Sequence, residues 1–156
     1  MEAIIDRNVL DIKYAKKLVT KIKDTGFSSL TSVEAQRWEE GLKGMLNYTD
    51  LNRIEGNCKI LSDIFGIDLV TDSAWEMTRF PTKKDFERIR DNVATIRERG
   101  YVNEFTPNTP TMPLNRYDKI NDIEKILLDA YEIYRGNEDQ QYYLDEIFID
   151  ESVGVI

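Results

Sequence analysis

Three segments of the chain share one pattern of apolar residues, and this repeat constrains the fold more than any other feature. The segments LNRIEGNCKILSDIF, FERIRDNVATIRERG and YDKINDIEKILLDAY begin at Leu51, Phe86 and Tyr117. Each begins with a large apolar residue, which is followed by a basic residue two places on and an isoleucine three places on. The spacing between the starts is typical of repeated supersecondary units. The chain therefore predicts a fold built from repeated helical units.

On an α-helix, these apolar positions lie on one face, which must be buried against another element. The sequence therefore predicts a mainly α fold, in which about five amphipathic helices form a small bundle with repeated helical units. Asn57 and Asn92 align beside the apolar face, where they either pair with each other between helices or lie in solvent. The residues predicted to line the core are Leu51, Ile54, Cys58, Leu61, Phe65, Phe86, Ile89, Val93, Ile96, Tyr117, Ile120, Ile123, Leu127, Tyr131 and Tyr134. The predicted N-terminal caps of these helices are Thr49, Thr82 and Asn115.

Two further helices are predicted ahead of the repeat. The first runs from about Arg7 to Asp24, with Asp6 as its N-terminal cap and Gly26 just beyond its C-terminus. The second opens with a capping box that begins at Thr31. It continues to about Leu46, although two glycines weaken its end.

The connecting segments carry large apolar residues without helical spacing. We expect Trp75, Met77 and Phe80 to close one end of the bundle rather than to bind a ligand. Residues 105–115 contain three regularly spaced prolines, which disfavour helix and favour extended backbone, so we expect a semi-rigid strap across the surface. The predicted anchors of the strap are Phe105 and Met112.

The segment RGNEDQQ is expected to end the last helix.

The composition excludes several classes of function. The chain has no histidine, so it contains no Ser-His-Asp triad, no Cys-His pair and no HExxH zinc motif. It also lacks the glycine-rich loops that hold phosphates. Its net charge of −8 is opposite to the basic surplus of most nucleic-acid-binding proteins.

No apolar run is long enough to span a bilayer, and the N-terminus does not look like a signal peptide. A single cysteine, Cys58, precludes an internal disulfide and is typical of a reducing compartment. We therefore expect no enzymatic activity, and no metal, cofactor, nucleic acid, membrane or small-molecule substrate.

The C-terminal segment LDEIFIDESVGVI contains two runs rich in apolar residues, whereas chain ends are normally polar and frayed. Two strand-like runs flank the turn-like Asp150-Glu151-Ser152, which predicts a β-hairpin. The chain is therefore divided into a helical domain, residues 1–141, and a C-terminal hairpin or assembly tail, residues 142–156. Because a lone hairpin is marginal in water, it either folds back on its own helices or adds as a strand to a neighbouring subunit. Its acids lack the spacing of a calcium loop. The predicted partner-binding residues are Tyr143, Ile147, Phe148, Ile149, Val153, Val155 and Ile156.

Three blocks of the chain are distinctive together: GLKGMLNYTDLNRIEGNCKILSDIF, DSAWEMTRFPTKKDFERIRDNVATIR and PTMPLNRYDKINDIEKILLDAYEIY. With the opening DRNVLDIKYAKKLV, they resemble a helical module of tail and baseplate structural proteins from phages and prophages of Gram-positive bacteria. The tail matches that module only in outline. The resemblance implies a non-enzymatic virion component, made in the bacterial cytoplasm, whose partners are other tail proteins and further copies of itself.

An intracellular acidic binding protein of a phage or prophage, such as an inhibitor or a DNA mimic, is the alternative. The net charge favours it, but the interspersed lysines and arginines do not, because a mimic requires clustered acids. Genes for tape-measure, baseplate or fibre proteins beside this one would favour the structural role.

Overall fold

The protein folds mainly into α-helices, as the sequence predicts. A computed structural model describes the backbone of residues 1–99 and 102–153, and the side chains of residues 1–99 and 102–139. This described part contains five α-helices, one short 3-10 helix and no strand. The helices are α1 (Val9–Thr25), α2 (Ser32–Glu40), α3 (Tyr48–Phe65), α4 (Lys83–Arg99) and α5 (Tyr117–Val153), and the 3-10 helix is Phe27–Ser29. Over the described residues, no helix has the length and apolar character needed to cross a membrane.

Two helix starts follow the sequence prediction. The Thr31 hydroxyl accepts a hydrogen bond from the N–H of Glu34 at 3.2 Å, and the Glu34 carboxylate accepts one from the N–H of Thr31 at 2.9 Å. Thr82 and Asp85 form the same reciprocal pair ahead of α4. Such a pair satisfies N–H groups that the first turn of a helix leaves without partners. The predicted glycine, Gly26, also follows the end of α1.

Two other helices are capped by an asparagine that lies two residues from the predicted cap. The Asn8 side chain caps α1, whereas the predicted cap, Asp6, forms an ion pair with Lys43. Asn47 caps α3, and the predicted cap, Thr49, lies inside the first turn. Asparagine is among the residues most preferred at the N-terminal cap. The prediction therefore located each helix start but placed its cap two residues away.

The second helix ends earlier than predicted. α2 stops at Glu40 because Gly41 has a φ of 92°, which side-chain-bearing residues rarely adopt. Within the loop of residues 41–47, Gly44 packs directly on the main chain of α1. A Cβ atom at Gly44 would lie 2.1 Å from the carbonyl oxygen of Asp11. Gly41 thus ends α2, and Gly44 lets the following loop pack on α1. A loop therefore replaces the last part of the predicted second helix.

The three repeat helices build the main hydrophobic core, which confirms the central prediction from the sequence. Their apolar faces meet, and Phe65, Phe86 and Tyr131 lie partly buried at the margin. Removing these aliphatic side chains from water is a principal stabilising term of such a fold. The buried members are Leu51, Ile54, Cys58, Leu61, Trp75, Ile89, Val93, Ile96, Leu114, Ile120, Ile123, Ile126, Leu127 and Ala130.

α1 and α2 pack around a second, smaller core next to the loop of residues 41–47. Its buried members are Ala15, Leu18 and Leu42. Tyr14, Leu30 and Trp38 are partly buried around it.

Three non-helical segments cover the bundle of α3, α4 and α5, and each is bonded to two of these helices. The N-terminal segment (residues 1–7) is bonded to α3 and α5. The connector (residues 67–82) is bonded to α3 and α4. The strap (residues 105–115) is bonded to α4 and α5. Most of these bonds satisfy main-chain groups that the segments cannot pair among themselves, and the exception joins the side chains of Thr106 and Asp129.

Asn57 and Asn92 take neither of the two roles considered from the sequence. Asn57 donates to the carbonyl of Glu2 at 2.7 Å, and Asn92 donates to the carbonyl of Val70 at 2.8 Å. Each amide therefore holds a covering segment against a repeat helix. The periodicity of the helix places these amides correctly, but the sequence does not indicate what reaches them.

The connector and the strap are placed only partly as expected. Trp75 is buried in the core, whereas Met77 and Phe80 are exposed and do not close the bundle. In the strap, Met112 packs against the core as predicted, but Phe105 is exposed. Without a regular period, the sequence of these segments does not distinguish inward-facing from outward-facing side chains.

The last helix begins after Arg116, whose carbonyl accepts the N–H of Ile120 at 3.3 Å, one residue later than the predicted cap Asn115. α5 continues through RGNEDQQ, which therefore does not end it. Its backbone is traced as helix to Val153, across much of residues 142–156. The side chains from residue 140 onward, and residues 154–156 entirely, lie outside the described part of the chain. The predicted hairpin is therefore not tested and stays a prediction.

Candidate interaction site

Two glutamates lie fully buried between the helices and are the first candidates for chemistry. Glu124 accepts hydrogen bonds from the N–H of Ile4 at 2.7 Å and from Arg53 at 2.8 and 3.0 Å. Arg7 approaches the same carboxylate with an N–O distance of 2.9 Å. Asp50 pairs with both arginines. We call Arg7, Asp50, Arg53 and Glu124 the buried quartet, in which two positive charges balance two negative ones.

The second buried glutamate, Glu55, is surrounded in a similar way. It accepts hydrogen bonds from Arg88 at 2.5 Å, from the N–H of Asp72 at 2.7 Å and from the indole N–H of Trp75 at 3.1 Å. The Asn52 side chain accepts from the N–H of Trp75 and donates to its carbonyl, both at 2.9 Å. These bonds hold the connector against α3.

The arginines of the two networks occupy equivalent positions in the repeat, and each has an aspartate three residues before it. Asp50 pairs with Arg53 in the first turns of α3, and Asp85 pairs with Arg88 in the same way on α4. Each arginine then reaches a fully buried glutamate on a neighbouring helix. In the first two copies, the basic position of the repeat therefore links one helix to a neighbouring helix, whereas Lys119 in the third copy donates to the strap carbonyls of Thr111 and Pro113.

Both glutamates have structural rather than catalytic surroundings. Their oxygens are taken by arginines and main-chain N–H groups, and their side chains are inaccessible to solvent. Burial lowers the pKa of Arg53, but its hydrogen bonds to Glu124 and Asp50 outweigh burial and raise that pKa. The arginine therefore stays charged. Because a general acid or base must reach a substrate proton, these carboxylates serve to hold the covering segments in place.

The single thiol is also unsuited to chemistry. Cys58 lies in the main core, and burial, with a smaller contribution from the charge of Glu55, raises its pKa to about 12. A nucleophilic cysteine needs an accessible thiolate near neutral pH. Cys58 is therefore a core residue.

An open apolar groove lies between α2, the start of α3 and the connector. Its volume is about 300 Å³, and buried Leu42 and Leu51 lie among its lining residues. Exposed Met45 contributes from the loop that follows α2. The connector contributes Met77, which is 70% exposed, and Phe80, which is 83% exposed. Large apolar side chains gathered in one exposed concavity mark an interaction site.

Charged residues around this groove are predominantly acidic. Glu39 and Glu40 lie at the end of α2, and Glu76 lies on the connector. Within the described part of the chain, no lysine or arginine pairs with any of the three. Arg79 is the basic residue of the groove, but Asp72 neutralises it at 2.6 Å. The groove therefore presents apolar side chains with a negative rim.

Contacts around Trp75 place the connector beside the groove. Trp75 is buried, and the Arg79 guanidinium lies over its ring, 4.0 Å from the centroid. The N–H of Arg79 donates to the carbonyl of Glu76 at 3.0 Å, which closes a tight turn. Met77 and Phe80 lie on or next to this turn and are exposed, whereas Trp75 just before it is buried.

The partner-binding residues predicted from the sequence all lie in residues 143–156, outside the described side chains, so the structure does not bring them into or exclude them from a site. Sequence reasoning missed the groove. Its signal was present in WEMTRF, where Trp75, Met77 and Phe80 stand close together in a non-periodic segment. The sequence did not separate the buried member of this group from the two exposed ones.

No known protein family matches the chain, and no curated protein or solved structure is detectably similar to it.

Proposed function

We propose that the protein is a non-enzymatic structural or assembly component that acts through protein–protein contacts, with the groove as a principal contact. The observation that supports this most directly is the exposure of Met77 and Phe80 beside buried Leu42 and Leu51. Exposed apolar concavities with a polar rim are typical of protein-binding surfaces. Methionine and aromatic side chains also supply large contact areas that adapt to a partner.

The placement of charge supports this role over an enzymatic one. Both fully buried glutamates have their oxygens occupied by structural partners, and the thiol is held protonated in the core. The acids at the groove are exposed and border an apolar surface. They are therefore suited to selecting a partner by charge.

We propose a phage tail or baseplate as the setting, because of the resemblance carried by the three sequence blocks. In this setting the partners are other tail proteins, and the C-terminal segment of residues 142–156 supplies a second contact. The alternative, an acidic binding protein that acts inside the host cell, would use the same groove but would not enter the particle.

Mass spectrometry of purified particles tests this proposal. We expect the wild-type protein in the particle and the Phe80→Asp variant to be depleted from it, because a charge at Phe80 would oppose apolar contact in the groove. Phe105→Asp is the matched control, since Phe105 is 80% exposed and does not line the groove. Both variants should keep the wild-type melting temperature.

Absence of the wild-type protein from particles would overturn the virion role and favour the binding-protein alternative. Equal incorporation of both variants would show instead that the groove is not the contact.

A further inference from the structure

A second exposed surface with apolar and charged character lies on α1. Val9 and Leu10 are 50% and 72% exposed at the start of this helix. Ala15 and Leu18 face the smaller core on the opposite side, so the face that carries Val9 points to solvent. Exposed lysines continue this face along the helix. The basic face of α1 consists of Val9, Leu10, Lys13, Lys16 and Lys17.

The lysines of this face carry uncompensated charge. Among the described residues, no carboxylate pairs with Lys13, Lys16 or Lys17, whereas the partly buried Lys21 on the same helix pairs with Glu34 at 2.6 Å. Over the same part of the chain, Glu39, Glu40 and Glu76 of the groove form no ion pair, although Glu40 accepts a hydrogen bond from Gln36 at 2.8 Å. An acidic chain of net charge −8 thus carries an apolar surface edged by exposed lysines as well as an apolar groove edged by exposed glutamates.

We propose that the basic face of α1 from one copy of this chain docks in the groove of a second copy. Val9 and Leu10 would cover Met77 and Phe80, and the three lysines would face the glutamates of the rim. This inference rests on the proposed function of the groove as a protein-binding site, and it names the partner. Opposite charge around an apolar centre gives such a contact its orientation and its specificity.

The two surfaces are different parts of the molecule, so the contact is heterologous. Each copy offers one groove and one basic face, and after pairing both a free groove and a free basic face remain at the ends. Such contacts build rings when the rotation between copies closes, and open chains when it does not. Association should weaken with salt, because the exposed charges are screened.

Sedimentation velocity at low ionic strength tests the proposal with two variants. Leu10→Asp disables the basic face and leaves the groove intact, whereas Phe80→Asp disables the groove and leaves the basic face intact. We expect the wild type to form concentration-dependent oligomers that salt dissociates, and each variant alone to remain monomeric. An equimolar mixture of the two variants should form a one-to-one heterodimer and nothing larger, because only one productive junction remains.

Two matched controls separate this contact from a general loss of solubility or folding. Val33→Asp changes an exposed aliphatic residue at the second position of α2, as Leu10→Asp does at the second position of α1. Phe105→Asp is the control for Phe80→Asp. Both controls should oligomerise as the wild type does.

A wild-type protein that stays monomeric at all accessible concentrations would overturn the inference, as would a mixture of the two variants that forms no heterodimer. If deleting residues 142–156 abolished self-association while the Leu10→Asp variant still self-associated as the wild type does, the groove would be assigned to the C-terminal segment of the second copy instead. Depletion of Phe80→Asp from particles together with a monomeric wild type would leave the proposed function standing, with a different protein as the partner.

Discussion

Replacing Glu124 by leucine should destabilise the protein more than any exposed charge change. Glu124 is fully buried, and its carboxylate pairs with Arg53 and Arg7 while accepting the N–H of Ile4. The replacement leaves two arginines with Asp50 as their single counter-charge. The Arg7 side chain is 3% exposed, so water cannot solvate the surplus positive charge.

The expected magnitude follows from this geometry. Removing one partner of a buried ion pair costs about 3–5 kcal/mol, because the remaining charge is left uncompensated. For a domain of this size, each kcal/mol lowers the melting temperature by about 2–4 °C, so the Glu124→Leu variant should melt ~6–20 °C below the wild type. The unpaired N–H of Ile4 would act in the same direction.

Thermal and urea unfolding followed by circular dichroism measure this effect. Glu132→Leu is the control, since Glu132 lies exposed on the same helix and its replacement should change stability by no more than about 0.5 kcal/mol. The double variant Arg53→Leu/Glu124→Leu should recover part of the loss, because it leaves Arg7 and Asp50 as a neutral pair. Strict additivity of the two single changes, or a Glu124→Leu variant as stable as the control, would refute the assigned role of the quartet.

Four further outcomes are expected. Gly44→Ala should sharply lower the melting temperature, because its Cβ would overlap a main-chain carbonyl of α1. Gly56→Ala is the control: Gly56 lies inside α3 with open space around it, so the change should raise stability by roughly 0.5–1 kcal/mol. Similar effects of the two substitutions would contradict this packing. A hydrogen bond from a lysine of α1 lowers the pKa of Glu34 from 4.5 to about 2, so its contribution to stability is complete above pH 4.5 and is lost as the pH falls toward 2. The gap between the melting temperatures of the wild type and Glu34→Gln should therefore narrow over that window, and a constant gap would argue against the ion pair. Cys58 should react with iodoacetamide only as the protein unfolds, so rapid labelling of the native protein would show that the core is open there. Deleting residues 142–156 should leave the helical domain folded by circular dichroism, and loss of the shortened protein from particles would identify the tail as an assembly contact.

The helical periodicity carried enough information to predict the main core. Ile54, Ile89 and Ile120 occupy the same place in the three repeats, and all three are buried. Apolar residues at helical spacing identify a buried face whatever partner covers it, so this prediction required no knowledge of the tertiary structure. The capping boxes at Thr31 and Thr82 were predictable for the same reason, since both partners lie within one turn of the chain.

The buried quartet was not predicted, although its signal was present. Glu124 occupies in the third repeat the position that Cys58 and Val93 occupy in the first two, which is a core position. A carboxylate there requires a cationic partner, and Arg7 lies more than a hundred residues away along the chain. Local pattern shows that such a partner is needed, but only the tertiary structure shows which arginine supplies it.

The groove depended on the tertiary structure even more strongly. The residues from α2, α3 and the connector that line it have no spacing in common, and exposed Met77 and Phe80 stand close in the chain to buried Trp75. The sequence alone determined which faces of the helices are apolar, because that property depends on neighbours within a few residues. The tertiary structure decided which loops cover those faces and which apolar side chains remain exposed, because both depend on contacts between segments that are distant in the chain.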